Sequence, residues 1–235
     1  MNTDSTIPSS VISVFFDQEY RNEYNNNYES LLCDLENNTF YLNIEDYVKM
    51  YSNVLDLKTC TNLSNLIETY PYKTRFSDNL NNLIRSGEFL DVSKNKKFDR
   101  YLTKIIDKVL NNITQKYCQD VKPFYYAYGD KLNYYYYHAL KYSKNDYFRI
   151  HHDHYAETIN YSRLLTICLY LNEDYEGGEL CFPSIKKTFR FKSGDAIIFP
   201  SNWMFYHGVN PILSGNRYSI TIWAGIDIGR SHNEK

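Results

Sequence analysis

Three of the six histidines crowd into the run "RIHHDHY", Arg149 to Tyr155. In an extended strand, residues i and i+2 point to the same side. His151 and Asp153 then share one face, with His152 and His154 on the other. The His151-x-Asp153 pair presents an imidazole and a carboxylate together. A third donor is available from His207, in the late segment "MFYHGV". Two imidazoles and a carboxylate on one face of an octahedral ion form the facial triad of non-haem Fe(II) sites, with open positions for reactants. Zinc accepts the same three ligands. Arg217 stands ten residues after His207 and opens a segment in which Arg217, Ser219, Thr221 and Trp223 share a face. A guanidinium beside a hydroxyl inside a closed fold holds a carboxylate through paired hydrogen bonds. A zinc hydrolase leaves that clamp unexplained.

These residues need strands to carry them, and the second half of the chain supplies the pattern. From Lys122 onward the period is two. Candidate strands are Tyr134–Tyr142, Tyr147–Asp153, Leu164–Leu171, Glu179–Phe182, Thr188–Phe191, Ala196–Pro200, Phe205–Val209 and Arg217–Ala224. Turn-forming runs separate them at Ser143–Asp146, Asn172–Gly178, Ser193–Asp195 and Ser214–Asn216. About eight short strands with regular turns predict a closed or double-sheet antiparallel fold, a jelly roll.

Upstream, 39–121 reads as a mixed to helical support region. Cys60, Leu63, Leu66 and Ile67 form one helical face, with Pro71 as a stop. From about Phe98 to Cys118, Leu102, Ile105, Ile106, Val109, Leu110, Ile113 and Tyr117 form an apolar stripe. Residues 1–38 read as a polar, partly flexible segment and 229–235 as a tail, around a strand-built core over 122–228 in one globular domain. The fold class is α+β, mainly β.

The combined pattern of His151-x-Asp153, His207, Arg217, "YLNEDYEGGELCFP" and "GNRYSITIW" resembles the Fe(II)- and 2-oxoglutarate-dependent dioxygenases, nearest to their prolyl 4-hydroxylase-like branch. The resemblance covers roughly Tyr134 to Ile226. It implies a double-stranded β-helix with N-terminal supporting helices. It implies iron on His151, Asp153 and His207, with 2-oxoglutarate and oxygen as co-substrates and ascorbate as an aid to turnover. Arg217 is the implied partner of the distal carboxylate of 2-oxoglutarate, helped by Tyr170, Tyr142, Thr166 and Ser219. Arg163 and Trp223 match positions near a peptide substrate, and Tyr147 joins them as a candidate substrate contact. Gly177-Gly178 is the implied turn into the strand pair across the barrel. Arg163 and Tyr170 have opposite strand parity, so both face one cavity only if Arg163 precedes the strand or a bulge intervenes.

The expected activity is hydroxylation of a C–H bond, foremost in proline of a peptide or protein. A free amino acid or small metabolite is the alternative substrate, and a cupin-like binding module the alternative without turnover. Nucleobase demethylases of this superfamily carry a second arginine where this chain has Trp223.

Charge agrees: 26 Lys and Arg against 28 Asp and Glu give a net of −2, so no bulk field draws nucleic acid or membrane. At 43% hydrophobic and 23% charged residues, 235 residues can bury a core. Aromatics reach 17%, with 25 Tyr, and Tyr147, Tyr155, Trp203 and Phe205 are candidates either for gripping a peptide or for packing the sandwich. Five cysteines without a C-x-x-C pair suggest a reducing compartment. The start shows no secretory pattern and no apolar run spans a bilayer, so a soluble intracellular protein is expected.

Overall fold

A computed structural model describes residues 42–76, 84–90, 96–129, 132–154 and 161–227. The segments expected over 1–38 and 229–235, and Tyr155, lie outside the described residues. From Asn43 onward the described residues belong to one compact unit.

Helix α1 (Leu57–Thr69) begins where Asp56 caps it, its carboxylate accepting from the Thr59 backbone N–H at 2.8 Å and the Thr59 hydroxyl at 2.8 Å. Cys60, Leu63 and Ile67 are its buried face, and the chain leaves helix at Tyr70, before Pro71. Helix α2 (Lys96–Asp120) buries Leu102, Ile106, Val109, Leu110, Ile113 and Tyr117. This is the apolar stripe of the sequence, with Ile105 at its half-buried edge. A third helix, α3 (Lys122–Tyr128), follows directly. The two-residue period therefore starts at Asn133 rather than Lys122. Pro123 fits the first turn of α3, where no backbone N–H is needed.

The support region is less helical than its stripes suggest, for it also forms β1 (Lys49–Tyr51), β2 (Lys73–Arg75) and β3 (Glu88–Leu90). The second half forms β4 (Asn133–Tyr142), β5 (Phe148–His151), β6 (Tyr161–Tyr170), β7 (Glu176–Gly177), β8 (Leu180–Phe182), β9 (Lys187–Phe189), β10 (Ala196–Pro200), β11 (His207–Val209), β12 (Ile212–Ser214) and β13 (Arg217–Asp227). Among the described residues, strands β7 and β12 pair only with each other. They have two and three residues, too short to leave a periodic signal.

Among the described residues every strand pairing is antiparallel. A seven-stranded sheet runs β1-β10-β6-β13-β4-β3-β2 and a four-stranded sheet runs β5-β11-β8-β9. This double-sheet arrangement is the expected jelly roll. Strand β10 is buried along its whole length, which explains its continuous apolar run Ala196–Phe199. Between the sheets Tyr170, Leu180, Phe182, Phe191, Ile197, Phe199, Phe205 and Val209 form one core. Phe205 thus packs the sandwich, whereas Trp203 is 68% exposed. Among the described residues no helix is long and apolar enough to cross a membrane.

Candidate active site

The two sheets enclose a cavity of about 440 Å³, and its lining comes from both. The four-stranded sheet contributes the two histidines of the triad. Across the β5–β11 pairing His151 stands directly opposite His207, with ring centroids 4.3 Å apart. Strand β5 ends at His151, two residues earlier than the sequence suggests. Alternation therefore does not extend to Asp153. Its place is set instead by its backbone N–H, which donates to the Ser201 carbonyl at 3.1 Å. The outcome for the triad is the same. One Asp153 oxygen lies 3.3 Å from His151 Nε2 and the other 3.5 Å from His207 Nε2. All three ligand atoms fall within 4.8 Å of one another. His152, expected on the far face, also lines the cavity, and His154 is exposed.

Each ligand histidine is fixed in the same way. His151 Nδ1 donates to the Arg149 carbonyl at 2.8 Å and His207 Nδ1 to the Phe205 carbonyl at 3.0 Å. A carbonyl accepts only, so each Nδ1 carries a hydrogen, and each Nε2 is the ring nitrogen turned toward Asp153. Asp153 is held from behind by Thr166, whose hydroxyl donates to its carboxylate at 2.8 Å and lies 2.9 Å from the Ser201 hydroxyl. Burial opposes a charge on Asp153, but the two imidazoles outweigh it and hold its carboxyl well below the usual range.

The other end of the cavity is built for an anion. On β13, Arg217 lies opposite Tyr142 of β4, and Ser219 opposite Tyr170 of β6. The Arg217 guanidinium lies 4.4 Å from the Tyr142 ring centroid and 5.7 Å from that of Tyr170. Its Nη1 donates to the Gly178 carbonyl at 2.8 Å, while its Nε is buried without a hydrogen-bond partner. The turn that presents this carbonyl needs glycine. Gly177 and Gly178 have φ of +73° and +68°, and a Cβ on Gly178 meets Ile212 Cδ1 at 2.4 Å. Burial pushes both the Tyr142 and the Tyr170 phenols above their ordinary value, so each keeps its hydroxyl hydrogen.

Arg163 and Tyr170 do line one cavity, and the bulge the parity demanded is present. The β6–β13 register shifts between Ala224 and Gly225, so that Leu165 pairs with Ala224 and Arg163 with Gly225. Gly225 permits it: a Cβ there falls 1.7 Å from the Ser162 carbonyl oxygen. The Arg163 guanidinium then stacks 4.1 Å from the Trp223 ring centroid and donates to the Asp153 carbonyl at 3.4 Å.

Two candidates are placed elsewhere. Thr166 is fully buried behind Asp153 and is not part of the cavity lining. Tyr147 precedes β5 and lines a separate surface groove with Arg149, Ile150 and Pro211. Among the cavity residues that the sequence reading did not single out is a histidine. His138 lies on β4 two and four residues before Leu140 and Tyr142, and all three face the cavity. That parity was the available signal.

The donor set suits iron: two imidazole nitrogens and a carboxylate oxygen, with one side open to the cavity. The orphaned Arg217 Nε beside two phenols and Ser219 suits the free carboxylate of a bound diacid.

Comparison with known proteins agrees with this chemistry. Residues 137–225 match the 2OG-Fe(II) oxygenase superfamily, a span holding all three triad residues and Arg217. A putative prolyl 4-hydroxylase of Acanthamoeba polyphaga mimivirus is 27% identical over 182 residues, 65% of this chain and 74% of the relative. The viral collagen prolyl hydroxylase of Paramecium Bursaria Chlorella virus-1, solved with 2OG, superposes with a TM-score of 0.53 at 20% identity, covering 76% of this chain and 95% of the other. A Trichoplax adhaerens prolyl hydroxylase, solved with a hypoxia inducible factor peptide fragment, gives 0.55 at 16% identity over 89% and 94%. With its His151–Asp153–His207 triad, its buried Arg217 and its paired antiparallel sheets, the chain matches the 2OG-Fe(II) oxygenase superfamily over residues 137–225 and is similar to prolyl 4-hydroxylases within it.

Proposed function

We propose that this dioxygenase is a prolyl 4-hydroxylase whose substrate is a peptide or protein. The observation that carries the reading is the division of the cavity. Arg217, Ser219, Tyr142 and Tyr170 gather at one end, while Arg163, Trp223 and His138 line the wall beyond the triad. One end thus serves a small diacid and the other is left for a second reactant. The mimivirus relative and the Trichoplax neighbour, a prolyl hydroxylase with a peptide bound, support a polypeptide as that reactant.

Bound iron and 2-oxoglutarate supply the oxidising chemistry, in which oxygen converts 2-oxoglutarate to succinate and carbon dioxide while one oxygen atom enters a substrate C–H bond. The chain supplies geometry. His151, Asp153 and His207 hold the metal on one face and leave the other to reactants. Arg217 takes the distal carboxylate in a paired hydrogen bond, with its plane fixed by the Tyr142 ring and the Gly178 carbonyl. The two phenols and Ser219 complete the shell. Arg163 and Trp223, stacked on each other, form a stiff wall for the substrate. Tyr147 has no part in it.

The test is succinate formation by protein purified without oxygen and then given Fe(II), 2-oxoglutarate, ascorbate and oxygen. Wild type and His207→Ala are compared with and without proline-rich peptides. Peptide-stimulated succinate, with a mass gain of one oxygen atom at proline, supports the reading. Stimulation by a free amino acid but by no peptide overturns it.

A further inference from the structure

We infer that His138 is a substrate-contacting residue that hydrogen-bonds a backbone peptide group next to the hydroxylated residue. The inference rests on the peptide-hydroxylase reading and adds a specificity determinant to it.

The placement comes from register. On β13, Arg217 pairs with Tyr142 and Thr221 pairs with His138. Four residues along a strand separate the two levels by about 13 Å. His138 therefore lies well beyond a short diacid anchored at Arg217. It lies instead one step from Trp223, whose β6 partner Thr166 grips Asp153. This is the level of the metal centre and of the Arg163–Trp223 wall, so His138 borders the space where a substrate meets the iron.

Its surroundings position the ring without using its nitrogens. Trp223 meets the imidazole edge to face at 5.1 Å and 89°, Phe89 lies at 5.5 Å and Phe76 at 6.4 Å. Among the described residues neither ring nitrogen has a hydrogen-bond partner. The ring is held by three aromatic neighbours and faces the cavity, so its nitrogens are available to a polar ligand there. Burial, with Arg85 and Arg163 nearby and only Asp153 opposing, pushes the His138 pKa down to about 4. The ring is neutral at physiological pH and offers one donor and one acceptor. A peptide group carries the complementary pair. Arg163 and Trp223 only donate, so the imidazole adds an acceptor to that wall.

The test uses the full-length iron-loaded enzyme and the best peptide from the panel above, with two variants. His138→Phe keeps the aromatic contacts and removes both nitrogens. His138→Gln restores a donor and an acceptor. The expected result is a peptide KM raised about tenfold or more in His138→Phe, from an unmatched buried peptide group, and largely recovered in His138→Gln. The KM for 2-oxoglutarate is expected to move less than twofold in either. Absence of peptide stimulation in wild type overturns the peptide reading and this inference with it. With stimulation present, an unchanged peptide KM in His138→Phe, or no recovery in His138→Gln, overturns the role of His138 alone.

Discussion

Replacing Thr166 by valine removes one hydroxyl from behind the metal centre and little else. The side chain is fully buried on β6, and valine has nearly the same shape and suits a strand. What disappears is the 2.8 Å hydrogen bond to the Asp153 carboxylate and the 2.9 Å contact with the Ser201 hydroxyl. A hydrogen bond to a charged group contributes about 1.5–3 kcal/mol. Asp153 keeps its charge and its place in the chain, because its backbone N–H still donates to Ser201. Its carboxylate loses the partner that orients it toward the two Nε2 atoms. If the hydrogen bond acts through orientation, Fe(II) affinity falls about 10- to 100-fold. Thr166→Ser keeps the hydroxyl and is expected to bind iron as wild type does. Fe(II) titration without oxygen, followed by succinate formation against iron concentration, measures both. Equal iron affinity in wild type and Thr166→Val, with the fold intact by circular dichroism, refutes the reasoning.

Arg217→Met removes the guanidinium while keeping bulk; losing a charge-assisted pair worth about 3 kcal/mol raises the KM for 2-oxoglutarate about a hundredfold, and an unchanged KM by succinate assay places the co-substrate elsewhere. Asp153→Ala is expected to abolish iron-dependent succinate formation and leave the fold largely intact, since Ser201 and Thr166 can pair with each other; retained turnover removes Asp153 from the triad. His138 links stability to pH. Its folded pKa of about 4 lies below the ordinary 6.5, so the fold favours the neutral ring. That contribution is complete above pH 6.5 and is lost as pH falls toward 4, an effect of about 3 kcal/mol. Urea unfolding of wild type and His138→Phe between pH 7 and 4 is expected to show wild type losing that much more stability on acidification; parallel curves contradict a neutral buried His138.

Much of the site was legible because its chemistry is local. His151-x-Asp153 brings two unlike donors within two residues of each other, and strand alternation in β13 places Arg217, Ser219, Thr221 and Trp223 on one face, where the structure has them lining one cavity. The stripe of α2 was equally plain, since burial on one side of a long helix repeats at a fixed spacing. The β6 bulge was one of two ways the parity left open for Arg163 and Tyr170 to share a cavity, the other being that Arg163 precedes the strand; the register shift between Ala224 and Gly225 is the one found.

What needed the tertiary structure were relations between distant segments. No spacing says that His207 stands opposite His151, because that register belongs to the β5–β11 pairing. The carbonyls that set the two histidine tautomers are near in sequence, but whether a ring turns back to them depends on packing. Thr166 shares the parity of Tyr170 and so read as a cavity residue; the approach of Asp153 covers it and makes it a support instead. Tyr147 read as a candidate substrate contact, but β5 begins one residue later and its side chain falls in another groove. The chain by itself determined which groups could bind iron and a carboxylate, since that is a matter of side-chain chemistry and strand period. Only the assembled sheets decided which groups touch, because pairing register and the close approach of separate segments set distance, and distance sets function.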